Sequence, residues 1–90
     1  MNRVVITVVG KDSVGIIAAI CNALAEHRVN ILDISQTIVQ GFFNMMMLTD
    51  IDKCDIPFDK LQEILKATGD NKGVEVRCQR EEIFTSMHRL

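Results

Sequence analysis

Near its N-terminus the chain reads Val4-Val5-Ile6-Thr7-Val8-Val9-Gly10-Lys11-Asp12-Ser13-Val14-Gly15-Ile16. The apolar, β-branched run Val4–Val9 predicts a strand, and the polar segment with two glycines after it predicts a sharp turn into a helix that begins near Val14. The first N–H groups of a helix have no partner within it, so they attract anions, small carboxylates included. We therefore expect this turn to bind a ligand.

Length and charge limit the class of protein. A chain of 90 residues predicts a single domain, 1–90, and 48% hydrophobic with 24% charged residues is a globular composition. The net charge of −2 comes without a basic tract, so we expect no direct binding to nucleic acid. The six apolar residues before Gly10 are too few for a signal peptide or a membrane span. A cytoplasmic protein without membrane association is predicted.

The cysteines indicate neither a disulfide framework nor a zinc site. Cys21, Cys54 and Cys78 are odd in number and widely spaced, which favours reduced, mostly buried thiols. His27 is interpreted as a cation at a helix end, because no other ligand type stands at metal-binding spacing beside it. Asp50, Asp52 and Asp55 are interpreted as a solvated acidic turn. No metal and no cofactor is therefore expected.

The rest of the chain alternates between strand and helix patterns. Strand, helix, strand, strand, helix, strand and a short closing helix are predicted in that order. Their markers are a helix ending at Glu26-His27-Arg28, a strand Leu32–Val39 whose break in period at Ile31 indicates a bulge or a late strand start, a turn at Gln40-Gly41, a strand Phe42–Asp50, a helix from Pro57 to Gly69, a strand holding Val74, Val76 and Cys78, and a helix over about 82–90.

This order predicts an α+β fold, the ferredoxin-like βαββαβ sandwich, with a four-stranded antiparallel sheet and two helices on one face. Phe42–Leu48 is apolar on both faces of its strand. A sheet covered on one side only should alternate, so a terminal segment or a second copy is expected to cover the other face. A homodimer or higher homo-oligomer is predicted.

With this order in place, the chain resembles the ACT domain, a small regulatory module that binds amino acids. The resemblance rests on residues 10–16, on Val29-Asn30-Ile31 and on Asp33-Ile34-Ser35-Gln36, and it covers most of the chain. More narrowly, the chain resembles the free-standing single-domain ACT proteins of bacteria and archaea. No catalytic or DNA-binding domain is attached, so the enzyme or regulator on which it would act is not identified.

The resemblance implies a small amino acid held between the first strand–helix loop and the start of the second strand, commonly at an interface between two such domains. The positions that match are Gly10, Lys11, Asp12, Ser13, Val14, Gly15, Ile16, Asn30, Leu32, Asp33 and Ile34. A carboxylate could accept hydrogen bonds near Val14 and Gly15, and the Asp12 side chain could accept from the ammonium. Asp12 or Ser13 is also expected to cap the helix, and Asn30 could equally be a turn residue.

Other functions fit these residues less well than an amino-acid sensor. An acylphosphatase has this fold but needs an arginine in the first loop, where this chain offers only Lys11, and no nucleophile with a base is evident. A copper chaperone would carry paired cysteines there, and an RNA-binding sheet would want exposed aromatic residues in a basic surround. A non-catalytic regulatory module is predicted, with a structural protein-interaction module without ligand as the alternative.

Overall fold

A computed structural model of the chain describes residues 2–11 and 14–82. It contains six elements, β1 (Arg3–Lys11), α1 (Ile16–Glu26), β2 (Asn30–Val39), β3 (Phe42–Asp50), α2 (Phe58–Lys72) and β4 (Val74–Arg80). The sheet is antiparallel with strand order β2-β3-β1-β4. The predicted ferredoxin-like βαββαβ fold is confirmed. The last element is the strand β4, and the closing helix predicted over about 82–90 falls almost wholly outside the described residues.

One aliphatic core lies between the sheet and the two helices. It follows from the alternation of buried and exposed side chains along β1 and β3 and from the apolar stripe on one face of each helix. Its fully buried side chains include Val4, Ile6, Val8, Ile16, Ile20, Leu24, Phe43, Met47, Leu61 and Leu65. Thr49 is buried among them, and its hydroxyl donates to the carbonyl oxygen of Val4 over 2.8 Å. No helix in the described part of the chain is long and apolar enough to cross a membrane.

The hairpin of β2 and β3 has the bulge and the turn that the sequence predicts. Ile31 pairs with Thr49 and Asp33 with Leu48, so Leu32 is the extra residue. At the other end, Val39 pairs with Phe42 across a two-residue turn in which Gln40 and Gly41 have φ values of 50° and 82°. Two positive φ values match the right-handed twist of a tight hairpin, which favours Gly at the second position.

Gly69 does not end the second helix, contrary to the sequence prediction. The helix continues to Lys72 and ends at Gly73, whose φ of 71° is left-handed. Gly69 is buried in the helix, and a Cβ there would lie 2.5 Å from Cγ2 of Val76. Its small size allows α2 to approach β4 closely.

Edge strand β2 is exposed along nearly its whole length, and only Ile31 in it is half-buried. Its large apolar side chains Ile34, Ile38 and Val39 are 42–61% exposed. On the open face of β3, Phe42 and Met46 are also exposed. The fold therefore presents apolar surface on β2 and beside it.

Candidate functional site

The turn between β1 and α1 ends at Gly15, which is the N-cap of α1 and has a left-handed φ of 87°. The first helical hydrogen bond runs from the N–H of Ala19 to the carbonyl oxygen of Gly15, over 2.9 Å. The N–H groups of Ile16, Ile17 and Ala18 therefore have no acceptor within the helix. The helix α1 therefore begins at Ile16, two residues after the predicted start near Val14, and Gly15 occupies its N-cap position.

Asp12 and Ser13, the predicted capping and ligand-binding residues, lie outside the described residues. Val14 is almost fully exposed, and Lys11 is exposed at the end of β1. Gly10 lies within β1, where its lack of a side chain allows close contact with β4. A Cβ there would lie 2.9 Å from Cα of Val74. Its predicted role in the turn is replaced by close contact between β1 and β4.

A groove of about 430 Å³ opens between the start of α1 and the helix-facing side of β2. Its lining is mostly apolar, with backbone N–H groups at the α1 end and one amide side chain on β2. The residues that line it are Gly15, Ile16, Ile17, Ala18, Gln36, Ile38 and Phe43. N–H groups without an acceptor in their own helix, beside an apolar wall, suit a small molecule that has an anionic end and an apolar end.

Lys72, the last residue of α2, also reaches this turn. Its Nζ lies 3.3 Å from the position that a Cβ on Gly15 would occupy. The pairing of Gly10 with Val74 explains the approach, because it places the end of β1 and the start of β4 at the same end of the sheet. Lys72 lies just before β4. Sequence reasoning missed Lys72, since nothing in the local pattern reports a contact between residues this far apart in the chain.

Asn30 lies at the opposite end of the sheet from the turn. It pairs with Asp50, which pairs with Arg3, and Gly10 lies seven positions after Arg3 in β1. At about 3.3 Å per residue that is about 23 Å. One chain therefore does not bring Asn30 to the loop.

The other predicted β2 residues are not in the groove either. Leu32 sits in the bulge near the Asn30 end, Ile34 pairs with Met47 in mid-strand, and Asp33 faces the other side of the sheet. Gln36 and Ile38 lie beside Gly15 in their place. The length of α1 could have indicated this arrangement from the sequence. A helix of 11 residues returns the chain to the far end of the sheet before β2 begins, so the start of β2 lies far from the turn.

Asn30 lines a second, polar cavity of about 480 Å³. Arg28, Asp50, Asp52 and Lys53 complete its lining. The Asp52 carboxylate accepts a hydrogen bond from the N–H of Asn2 over 2.9 Å, and the Asp50 carboxylate accepts one from the N–H of Asp52. These carboxylates therefore hold the chain around the cavity together.

The remaining chemical groups indicate structural roles. His27 Nδ1 lies 3.0 Å from Oδ1 of Asp55 and ties the end of α1 to the loop before α2. Burial raises the pKa of the Cys78 thiol to about 12, so it is no nucleophile at neutral pH. Within residues 2–11 and 14–82, no three His, Cys, Asp or Glu side chains are grouped as a metal site requires.

Comparison with known proteins agrees with this geometry. The family model for the ACT domain matches residues 2–79. The chain belongs to the ACT domain family. A free-standing UPF0237 protein of Bifidobacterium longum is 57% identical over the full length of both chains, and one of the archaeon Methanocaldococcus jannaschii is 48% identical over the full length of both. ACT domains are typically regulatory domains that bind ligands.

Solved structures show the same ACT fold. An ACT domain protein from Streptococcus pneumoniae is 37% identical with a TM-score of 0.80, covering 92% of this chain and 93% of that one. A formyltetrahydrofolate deformylase from Pseudomonas syringae has a TM-score of 0.82 at 23% identity, covering 89% of this chain and 28% of that one. The second likeness concerns the fold alone.

Proposed function

We propose that this ACT domain is a non-catalytic, cytoplasmic regulatory module that binds a small amino acid in the groove between α1 and β2. The observations that carry the proposal are the N–H groups of Ile16, Ile17 and Ala18, which have no acceptor within α1, and the apolar groove that these three residues help to line. A bound carboxylate accepts hydrogen bonds from these donors. The side chain of the amino acid lies against Ile17 and Ile38, and Gln36 offers an amide oxygen to the ammonium group.

A second copy completes this site in the proposal. An edge strand such as β2 presents unpaired N–H and carbonyl groups, and its exposed Ile34, Ile38 and Val39 favour burial. A two-fold axis near the middle of β2 pairs the strand antiparallel with its own copy. The Asn30 end of one β2 then lies beside the Ile38 end of the other. Asn30 of a second copy thereby reaches the groove that it cannot reach within its own chain.

The proposal excludes turnover by this chain. The Cys78 thiol is buried and protonated at neutral pH, and His27 is held by Asp55, away from the groove. An amino acid bound at a shared interface instead changes the pairing of two copies, or the surface that they present to an enzyme or regulator.

A thermal-shift screen of the purified chain against the twenty common amino acids tests the proposal. Specific binding at about 100-fold excess over the Kd stabilises the fold by about 2.7 kcal/mol, so one amino acid or a small set should raise the Tm. Calorimetry with that amino acid should give one site per chain. Absence of any specific shift at millimolar concentrations would overturn amino-acid binding.

The alternative function is a protein-interaction module without ligand. It is favoured by one observation, the apolar surface on β2 and on the open face at Phe42 and Met46. The thermal-shift screen distinguishes the two functions. The interaction module predicts a stable dimer whose Tm responds to no amino acid.

A further inference from the structure

We propose that the C-terminal segment, residues 83–90, packs on the open face of the sheet, at the end where β4 finishes. The open face is the face opposite the two helices. The groove between α1 and β2 lies on the helix side, so this inference is independent of the proposed function. It assigns one occupant, the C-terminus of the same chain, to a docking surface formed by β1 and β3.

Val5 is the first observation, because it is buried on a face where no helix of the described chain packs. Val4, Ile6 and Val8 of β1 belong to the core between the sheet and the helices. Side chains alternate along a strand, so Val5 lies on the opposite, open face. Val5 is nevertheless only 6% exposed, and it is not part of the core cluster. Its cover therefore comes from outside the core.

The exposure of the open face falls in the same direction along three strands. On β1, Val9 is 46% exposed and Val5 is buried. On β3, Met46 is 44% exposed, whereas Leu48 on the same face is half-buried. On β4, Gln79 is the least exposed residue of this face. The register places Val5 directly between Leu48 and Gln79, so the covered residues are neighbours at one end of the sheet.

The covered end is also the place where the chain leaves the sheet. The last strand, β4, ends at Arg80. The carboxylate of Glu81 lies 3.5 Å from the guanidinium of Arg3, at the start of β1. Alternation along β1 places Arg3 on the same face as Val5. The ion pair therefore directs the chain after β4 toward the covered part of the open face.

The C-terminal segment is long enough to cross this part of the sheet. In the sheet, β1 separates β4 from β3, so β3 lies about 10 Å from β4 at about 4.8 Å per strand. Eight residues span about 12 Å even in a helix, which is the shorter of the regular conformations. A segment that begins beside β4 therefore reaches β3 over Val5.

The composition of the C-terminal segment suits an apolar surface. Half of its eight residues are apolar, namely Ile83, Phe84, Met87 and Leu90. Removal of such side chains from water is favourable, and Val5 with Leu48 supplies apolar surface beneath them. The other four residues, Thr85, Ser86, His88 and Arg89, are polar and suit the side that faces water.

A second copy fits this surface less well than the C-terminal segment does. The burial of Val5 arises within a single chain. The cover also stops part-way along the face, since Val9, Met46 and Phe42 are 44–59% exposed. A short segment covers one end of a face, whereas a second domain packed face to face covers most of it. The edge strand β2 stays available for pairing of two copies.

Isotope-filtered NMR of the full chain tests the inference directly. We expect nuclear Overhauser effects between the methyl groups of Val5 and protons of the C-terminal segment, with the ring of Phe84 among them. An equal mixture of 13C-labelled and unlabelled chains separates contacts within one chain from contacts between copies. Effects that arise only between copies would assign the face to a second copy and overturn the inference. Absence of any effect from Val5 to residues 83–90 would also overturn it.

Double-mutant cycles measure the same contact through stability. Urea denaturation of Val5→Ala, Phe84→Ala and the double variant should give losses in the free energy of unfolding that do not add, because residues in contact share an interaction. The cycle is repeated with Met87→Ala in place of Phe84→Ala. Val9→Ala is the matched control, since Val9 lies on the same strand and face at the exposed end.

The losses of Val9→Ala should add to those of Phe84→Ala and of Met87→Ala. Additive losses in both Val5 cycles would overturn the inference. Coupling of Val9 as strong as that of Val5 would overturn the placement at the β4 end of the face.

Discussion

Gly69 of α2 and Val76 of β4 are in such close contact that a Cβ on Gly69 would stand 2.5 Å from Cγ2 of Val76. The carbonyl oxygen of Val74 would be only 2.9 Å away. Gly69→Ala should therefore lower the free energy of unfolding by about 1–3 kcal/mol through overpacking, although alanine is the better helix former by about 1 kcal/mol. Urea denaturation measures the difference. A variant as stable as the parent would show that α2 and β4 can separate at no cost.

Gly73→Asn is the control for that measurement. Gly73 has a φ of 71°, and a Cβ added there would meet open space. Asparagine tolerates this conformation better than most residues, so the loss should stay within about 1 kcal/mol.

Alkaline stability should depend on Cys78. Burial raises the pKa of this thiol from 9.0 to about 12, so the folded state keeps its proton where the unfolded chain loses it. The resulting stabilisation is complete below pH 9 and is lost as the pH rises through about 12, with a slope of up to about 1.4 kcal/mol per pH unit. Denaturation at several pH values should show this slope in the parent and in Cys21→Ala. Cys78→Ala should lack it.

The chain should sediment as a dimer or a larger homo-oligomer at micromolar concentration. Burial of a large apolar side chain on pairing contributes about 1.5–3 kcal/mol before the cost of association, and β2 exposes several. Ile34→Lys should shift the mass measured by sedimentation equilibrium toward one chain. Val9→Lys, on the open face of β1, should not. The reverse pattern would place the interface on the open face.

Asn30→Ala should weaken amino-acid binding while the domain stays folded. Loss of one hydrogen bond contributed by a second copy costs about 0.5–1.5 kcal/mol, a factor of about two to ten in Kd. Asn22→Ala, on the exposed face of α1, should leave the Kd unchanged. Calorimetry measures the Kd of the three proteins, and equal affinities would leave Asn30 with a structural role only, as the first residue of β2. Substitution of Gly15 by valine would not test ligand binding separately from folding, because a φ of 87° strains any residue with a Cβ.

No hydrolysis of acyl phosphates above the buffer rate is expected. The first loop offers Lys11 where a phosphatase site needs an arginine. The assay follows release of inorganic phosphate from an acyl phosphate. Turnover that is abolished in Lys11→Ala would establish a catalytic phosphate site and contradict the regulatory proposal.

The sequence predicts the element order well, because apolar periodicity is a local property. The bulge between Ile31 and Asp33 is also local, since it shows as a break in alternation. Gly69 is the instructive error. A glycine that ends a helix and a glycine that allows a helix to pack closely on a strand look the same in a sequence. Only the packing of α2 on β4 shows that Gly69 is the second kind.

The candidate site is harder to predict than the fold. Residues 10–16 are contiguous, so their turn is visible, although Gly15 and not Asp12 or Ser13 occupies the capping position. The β2 wall of the groove comes from Gln36 and Ile38, and the Lys72 ammonium lies near Gly15. These are set by strand register and helix length, which a single sequence does not display. Asn30 can join them only through a second copy.

Within the sheet, β2 pairs with β3 alone and joins it across a two-residue turn. A strand held along one side costs less to detach than a central strand, so we expect β2 to open before the domain unfolds. A second copy and a ligand, as proposed, each bind only the attached state, and each raises its population for the other. On the proposed function, the ordered fraction of one strand is itself the output, and signalling needs no rotation of domains.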